Sequence, residues 1–206
     1  MEAIAETGKP VILVLINGGP LSVNWASENI PAILTAGYPG QEGGNAIADV
    51  LFGDYNPAGR LPITYYKSLD GLPPFGNYSM EGRTYRYFKG DPLYPFGFGL
   101  SYATFEYSNL EMPEKININE PVSVSVDVTN TGTLDGDEVV QLYITDEKAT
   151  TTRPIRQLEG FERIYIKKGE TRTVVFTLEP RQLSMIDKDN KRVTEPGWFT
   201  VSLGGK

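Results

Sequence analysis

The sequence predicts an α/β portion followed by an all-β sandwich, and three observations carry that prediction. Pro10-Val-Ile-Leu-Val-Leu-Ile16 is an unbroken apolar run ending in Asn17-Gly18-Gly19-Pro20, the pattern of a strand buried on both faces of a parallel sheet. Ala46, Ile47, Val50 and Leu51 recur as one apolar face of a short helix over about 42–52, with Gly53 placed to close it. From residue 104 the period changes to two: Val122, Val124, Val126 and Val128 alternate with Ser123, Ser125 and Asp127, giving one buried and one wet face.

Taken in order, Ile30–Gly37 reads as a second short strand and Leu61–Tyr65 as a minor third element. Pro39-Gly40 and Asn56-Pro57-Ala58-Gly59 read as turns on either side of the helix. Residues 1–66 thus supply about two strands and one or two helices, too little to enclose a core. The expectation is that they end a larger α/β domain whose beginning lies outside the chain. An exposed half-core of that kind invites self-association or a partner chain that completes it.

Residues 67–103 are irregular but rich in rings, including Phe75, Tyr78, Tyr85, Tyr87, Phe88, Tyr94, Phe96, Phe98 and Tyr102. A free tether would be polar and rich in Gly and Ser. Rings in this number call for surface to pack on, so the stretch is expected to be a linker held against a domain face. An exposed sugar-binding platform is the alternative.

Over 104–206, the alternating runs at Val140–Ile144, Val174–Leu178 and Phe199–Leu203 repeat the two-residue period, separated by Asn130-Thr-Gly132, Asp135-Gly136, Lys168-Gly169, Asp189-Asn190 and Pro196-Gly197. About seven short strands in this length describe an immunoglobulin-like sandwich. The absence of cysteine favours the fibronectin type III variant.

Composition removes several chemistries. The 206 residues contain no Cys and no His, which excludes Ser-His-Asp and Cys-His nucleophilic catalysis and the usual zinc sites. No cofactor and no metal is expected. A net charge of −7 gives no basic patch for phosphates, so no nucleic-acid partner is expected. No apolar run is long enough for a membrane span, so no membrane partner is expected. The acidic start Met1-Glu-Ala-Ile-Ala-Glu6 has no signal-peptide core.

Ala36-Gly-Tyr-Pro-Gly-Gln-Glu-Gly-Gly-Asn-Ala-Ile-Ala-Asp-Val-Leu-Phe-Gly-Asp-Tyr-Asn-Pro-Ala-Gly-Arg-Leu-Pro62 resembles the signature near the end of the second domain of glycoside hydrolase family 3. The resemblance runs on through Arg83-Thr-Tyr-Arg-Tyr-Phe88 and Pro92–Tyr102, then into the fibronectin type III-like domain at Arg153-Pro-Ile-Arg-Gln-Leu-Glu-Gly-Phe161. Leu72-Pro-Pro-Phe75, Tyr78-Ser-Met80 and Gly82–Phe88 look more like the β-xylosidases of the family than its β-glucosidases. The resemblance implies a partial α/β sandwich over 1–66, the ring-rich linker over 67–103 and the β-sandwich over 104–206. It also implies a retaining exo-glycosidase, secreted or periplasmic as a whole, acting on terminal β-linked sugars with two carboxylates. The family's nucleophile Asp lies on an N-terminal barrel and its acid/base Glu lies upstream of the segment seen here. On that reading the isolated chain is inactive, and oligosaccharide meets it only through the missing N-terminal part. A non-catalytic carbohydrate-binding module and one half of a split enzyme are the rival readings.

No catalytic residue is therefore expected in the chain. Glu42, the one carboxylate in the Gln-Glu-Gly-Gly turn, is the candidate acid/base; the preferred reading makes it a first-turn carboxylate favoured by the helix dipole. Tyr38 and Gln41 are the candidate sugar-contacting loop residues. Asp49 and Asp54 read as surface residues, Arg60 as an anchor to carbonyls or a carboxylate, and Arg83 and Arg86 as stacking on the aromatics around them, with interdomain packing as the plainer reading. Trp25 and Trp198 invite sugar stacking, with strand-end packing preferred for Trp198. Asn77-Tyr-Ser79 matches a glycosylation sequon.

Overall fold

A computed structural model describes residues 1–204. Its contacts group into two compact units, one comprising Met1–Tyr55, Leu61–Thr84 and Phe88–Phe96, the other Asn56–Arg60, Tyr85–Tyr87 and Gly97 onward.

The first unit is α/β. Its elements are α1 (Glu2–Ala5), β1 (Ile12–Leu15), α2 (Asn24–Asn29), β2 (Ala32–Thr35) and α3 (Gly43–Phe52). β1 and β2 pair in parallel, from Ile12 opposite Ala32 to Leu15 opposite Thr35, and α2 supplies the crossover that parallel strands need. The helix α3 ends as its sequence dictates, on Gly53 in the left-handed conformation (φ 85°). The apolar run of β1 is not enclosed on both faces: Leu13, Val14 and Leu15 are half-buried and Ile12 is exposed. One neighbouring strand and three short helices provide too little cover among the described residues.

The third element foreseen at Leu61–Tyr65 forms no strand. Tyr65 makes a single antiparallel bridge to Tyr94, receiving Leu93 N–H at 2.8 Å and donating its own to Tyr94 at 2.9 Å. Asn56–Gly59 likewise forms no turn and runs as irregular backbone. One helical turn in the aromatic stretch, α4 (Thr84–Tyr87), carries no sequence pattern that announces it.

The second unit is the sandwich. Its strands are β3 (Phe105–Glu111), β4 (Val122–Asn130), β5 (Gly136–Asp146), β6 (Gln157–Ile166) and β7 (Thr171–Leu178), then a 3-10 turn (Pro180–Leu183), β8 (Met185–Ile186), β9 (Arg192–Val193) and β10 (Phe199–Gly204). Two three-stranded sheets, β3-β4-β7 and β10-β5-β6, face each other, and β8 and β9 form a small hairpin. The valines of β4 alternate as predicted, with Val124 and Val128 fully buried. They meet Val140, Leu142 and Ile144 of β5 and Ile164, Ile166, Val174 and Leu178 of β6 and β7. Each such side chain stabilises the fold by about 1.5–3 kcal/mol, so this interior dominates the energetics of the unit.

β6 escapes the alternation rule for a reason seen in the packing. A β-bulge interrupts its pairing with β5 at Leu142/Tyr143. Gly160 also lets the Phe176 ring in: a Cβ there would sit 2.8 Å from Phe176 Cδ1. A strand shaped by a bulge and a ring-accepting glycine has no clean period to read.

Candidate functional site

Because β1 and β2 are parallel, the loops that follow them leave the sheet at one edge, where open α/β sheets hold ligands. Asn17-Gly18-Gly19-Pro20 follows β1, and Ala36 to Glu42 follows β2. The two loops touch through Tyr38 and Gly18; a Cβ on Gly18 would lie 2.4 Å from Tyr38 Cε2. Tyr38 is otherwise open to solvent, at 83% exposure. Asn17 donates its side-chain amide to the Gly19 carbonyl, while its Oδ1 is buried without a hydrogen-bond partner among the described residues. A turn from Gly40 to Gly43 (3.0 Å) then carries Gln41 and Glu42, both exposed.

Glu42 is not in the first turn of α3. It is the residue that precedes it, the N-cap (φ −86°, ψ 10°), and its carboxylate caps no backbone amide. The carboxylate instead accepts Asn45 Nδ2 at 2.6 Å, and the Glu42 carbonyl receives the first helical N–H, from Ala46. A general acid is tuned by enclosure in an apolar pocket, and an exposed carboxylate bound to a surface amide lacks it. The edge therefore offers a ring and amides suited to hydroxyl groups. Asp49 and Asp54 are exposed, as expected for surface residues.

The most enclosed ionisable cluster lies in the second unit. Arg60 Nη2 donates to Glu138 Oε2 at 2.7 Å, with side chains only 9% and 3% exposed. Tyr107 donates its hydroxyl to the other oxygen, Oε1, at 2.7 Å. Arg60 also reaches the carbonyls of Ala58 (3.3 Å) and Gly59 (3.2 Å), so it is the anchor its sequence setting implied. Burial pushes the Glu138 carboxyl up, and the Arg60 guanidinium and the two hydrogen bonds draw it part of the way back. Burial, then the Glu138 charge, drives the Tyr107 hydroxyl far up. Both carboxylate oxygens are engaged and the Glu138 side chain is 3% exposed, so the cluster holds structure.

Glu138 was not singled out from the sequence, yet a signal exists. In β5 it shares parity with Val140, Leu142 and Ile144, so the alternation that buries those three buries it. Other residues fall differently from expectation. Trp198 does not pack at the strand end and is 78% exposed. Trp25 lines a shallow hollow with Met1, Glu2, Ser22 and Val23. Arg83 binds loop carbonyls, while Arg86 lies 5.9 Å from the Tyr85 ring centroid.

Residues 1–102 match the glycosyl hydrolase family 3 C-terminal domain, and residues 138–206 match the fibronectin type III-like domain. The chain belongs to glycoside hydrolase family 3. It is 47% identical to a β-xylosidase of Formosa agariphila over 99% of its own length and 29% of the relative's. A periplasmic β-glucosidase of Salmonella typhimurium is 43% identical over 99% of the chain and 28% of its own length. Among solved structures, a β-glucosidase from Erythrobacter marinus aligns with a TM-score of 0.87 at 43% identity, covering 99% of this chain and 27% of that one. A Listeria innocua β-glucosidase in complex with glucose aligns with a TM-score of 0.88 at 33% identity, covering 99% and 30%. The chain thus spans under a third of the curated relatives it matches and corresponds to the C-terminal region of family 3 glycosidases.

Proposed function

We propose that the chain is the C-terminal segment of a retaining, exo-acting β-glycosidase, with β-xylosides as the preferred substrates and β-glucosides next. In this reading the nucleophile and acid/base carboxylates, which stand about 5–5.5 Å apart in retaining enzymes, come from residues outside the chain. The first unit completes the domain that borders the sugar, and Tyr38 and Gln41 stand nearest to it. The observation that carries the reading is the end-to-end match of this chain to the β-xylosidase of Formosa agariphila. The exposed, amide-bound state of Glu42 supports placing the bond-breaking carboxylates elsewhere. The half-buried β1–β2 face supports a partner surface on the first unit.

The test is a chimera in which this chain replaces the matching C-terminal residues of that β-xylosidase. Turnover of p-nitrophenyl β-xyloside above that of the β-glucoside is expected, and none is expected from the chain alone. Equal or reversed preference refutes the xyloside assignment, and a folded but inactive chimera refutes the glycosidase reading.

A further inference from the structure

The nine arginines of the chain find different partners. Arg60, Arg153 and Arg163 pair with carboxylates. Arg83 and Arg172 bind carbonyls, and Arg86 and Arg156 lie over tyrosine rings. Two arginines differ from these seven. The Arg192 guanidinium reaches only a neutral hydroxyl, donating from Nη1 to Ser184 Oγ at 2.8 Å. The Arg181 guanidinium has no partner among the described residues.

Both line one hollow of about 430 Å³ in the second unit, with Pro180 and Val193 as apolar wall and Asn119 and Thr194 as polar groups. Among the described residues no carboxylate lines it. Short neighbouring elements bring the two cations there. Arg181 sits in the 3-10 turn Pro180–Leu183, and Arg192 sits in β9 opposite Ile186 of β8. Ser184, which joins that turn to β8, is 8% exposed. Its hydroxyl donates to the Arg181 carbonyl at 2.6 Å and so turns its acceptor to Arg192. Arg153 Nη1 holds the carbonyl of the same serine at 3.3 Å. A buried hydroxyl fixed in this way holds the Arg192 head in place before any ligand arrives.

Charge and shape select the ligand. Two cations on one hollow repel each other, and a neutral ligand leaves that repulsion in place. A carboxylate offsets one charge of the two. A phosphate group carries about −1.5 to −2 at neutral pH and three acceptor oxygens, which guanidinium forks meet two at a time. The net charge of −7 disfavours a long polyanion, so the anion is small. The hollow has room beside it for an attached group against Pro180 and Val193. We propose that Arg181 and Arg192 form a binding site for a phosphate group, free or carried as a monoester. The site stands apart from the glycosidase reading and does not rest on it.

The test is titration calorimetry of the full chain with sodium phosphate and with phenyl phosphate, near neutral pH and at constant ionic strength. Saturable binding is expected, weakened by about tenfold or more in Arg181→Gln and in Arg192→Gln, at an unchanged urea midpoint without phosphate. Arg163→Gln removes the same charge from the same unit and is expected to bind as the wild type does. Where Arg192→Gln frees the Ser184 hydroxyl and lowers the midpoint, Arg181→Gln decides, because its head group holds nothing in the fold. The proposal is overturned by a wild type without saturable binding or by undiminished binding in Arg181→Gln. Equal loss in Arg163→Gln also overturns it, since general charge then accounts for the binding. Tighter binding of phenyl phosphate supports a monoester and tighter binding of inorganic phosphate a free anion, and each supports the site.

Discussion

Arg60 and Glu138 form a buried ion pair at 2.7 Å between residues 78 positions apart in sequence. Breaking such a pair strands a charge: loss of one partner costs about 3–5 kcal/mol, whereas removal of both is far cheaper. Arg60→Met is therefore expected to destabilise the second unit by about 3–5 kcal/mol. Adding Glu138→Met should recover most of that loss. Urea unfolding of the two single variants and the double variant forms the cycle, and additive losses would show that the pair does not act as one.

Asn130 offers a second, uncharged test. It is fully buried and donates Nδ2 to the carbonyls of Leu134 (2.8 Å) and Ile166 (3.0 Å) while accepting Gly132 N–H at 3.0 Å. Truncation removes the side-chain donor to the Leu134 and Ile166 carbonyls at the end of β4, while Gly132 N–H keeps the Thr104 carbonyl at 3.2 Å. Asn130→Ala is expected to cost about 2–4 kcal/mol, read as a lower midpoint in chemical unfolding with an unchanged slope.

Two glycines separate close approach that matters from close approach that does not. At Gly97, φ is +82° and a Cβ would fall 2.3 Å from Gln141 Oε1. That side chain is buried, bonded to the Gly97 carbonyl (3.1 Å) and to the Tyr143 hydroxyl (2.5 Å). At Gly18 the obstacle is the exposed Tyr38 ring, which can swing away. Gly97→Ala is expected to lose about 2–4 kcal/mol, and Gly18→Ala less than about 1 kcal/mol. Thermal unfolding of both variants checks the contrast.

The same contrast between free and committed side chains bears on Glu42. Its carboxylate is exposed and holds Asn45, so Glu42→Gln keeps the shape and an acceptor oxygen. In the chimera, turnover should stay within about threefold, whereas loss of a general acid would cost about 10²–10⁴-fold. A loss on that scale with normal folding would return Glu42 to the catalytic machinery.

These contacts show which physical signals reach the sequence. Alternation is local, so the valines of β4 and the apolar residues of β5 could be read directly, and Gly53 could be read as a helix stop. The burial of Glu138 was legible by parity, but its partners were not: Arg60 and Tyr107 reach it only through the fold. β6 was hidden because Gly160 serves a ring on another strand. The bare state of Phe75 and Tyr78 was hidden because rings normally signal packing and exposure is set by the fold around them.

Acid should find the sandwich through two surface carboxylates. The Asp127 carboxyl lies below its ordinary range because Thr173 Oγ1 (2.6 Å), then Asn109 Nδ2 (2.9 Å), donate to it. Asp135 is lowered first by the Lys168 backbone N–H (2.8 Å), then by the Tyr165 hydroxyl (2.9 Å). A carboxyl depressed in the fold contributes stability that is complete above its unfolded value, near 3.9, and is lost as pH falls through the lower folded value. Glu138, raised in the fold, has the opposite sign: its contribution is complete below its ordinary value of 4.5 and fades as pH rises through the folded one. Between pH 4 and 2 the two aspartates should therefore set the slope. Urea midpoints of the wild type are expected to fall over that interval, and Asp127→Asn with Asp135→Asn to fall less steeply. An equally steep decline in the double variant would assign the acid sensitivity to other groups.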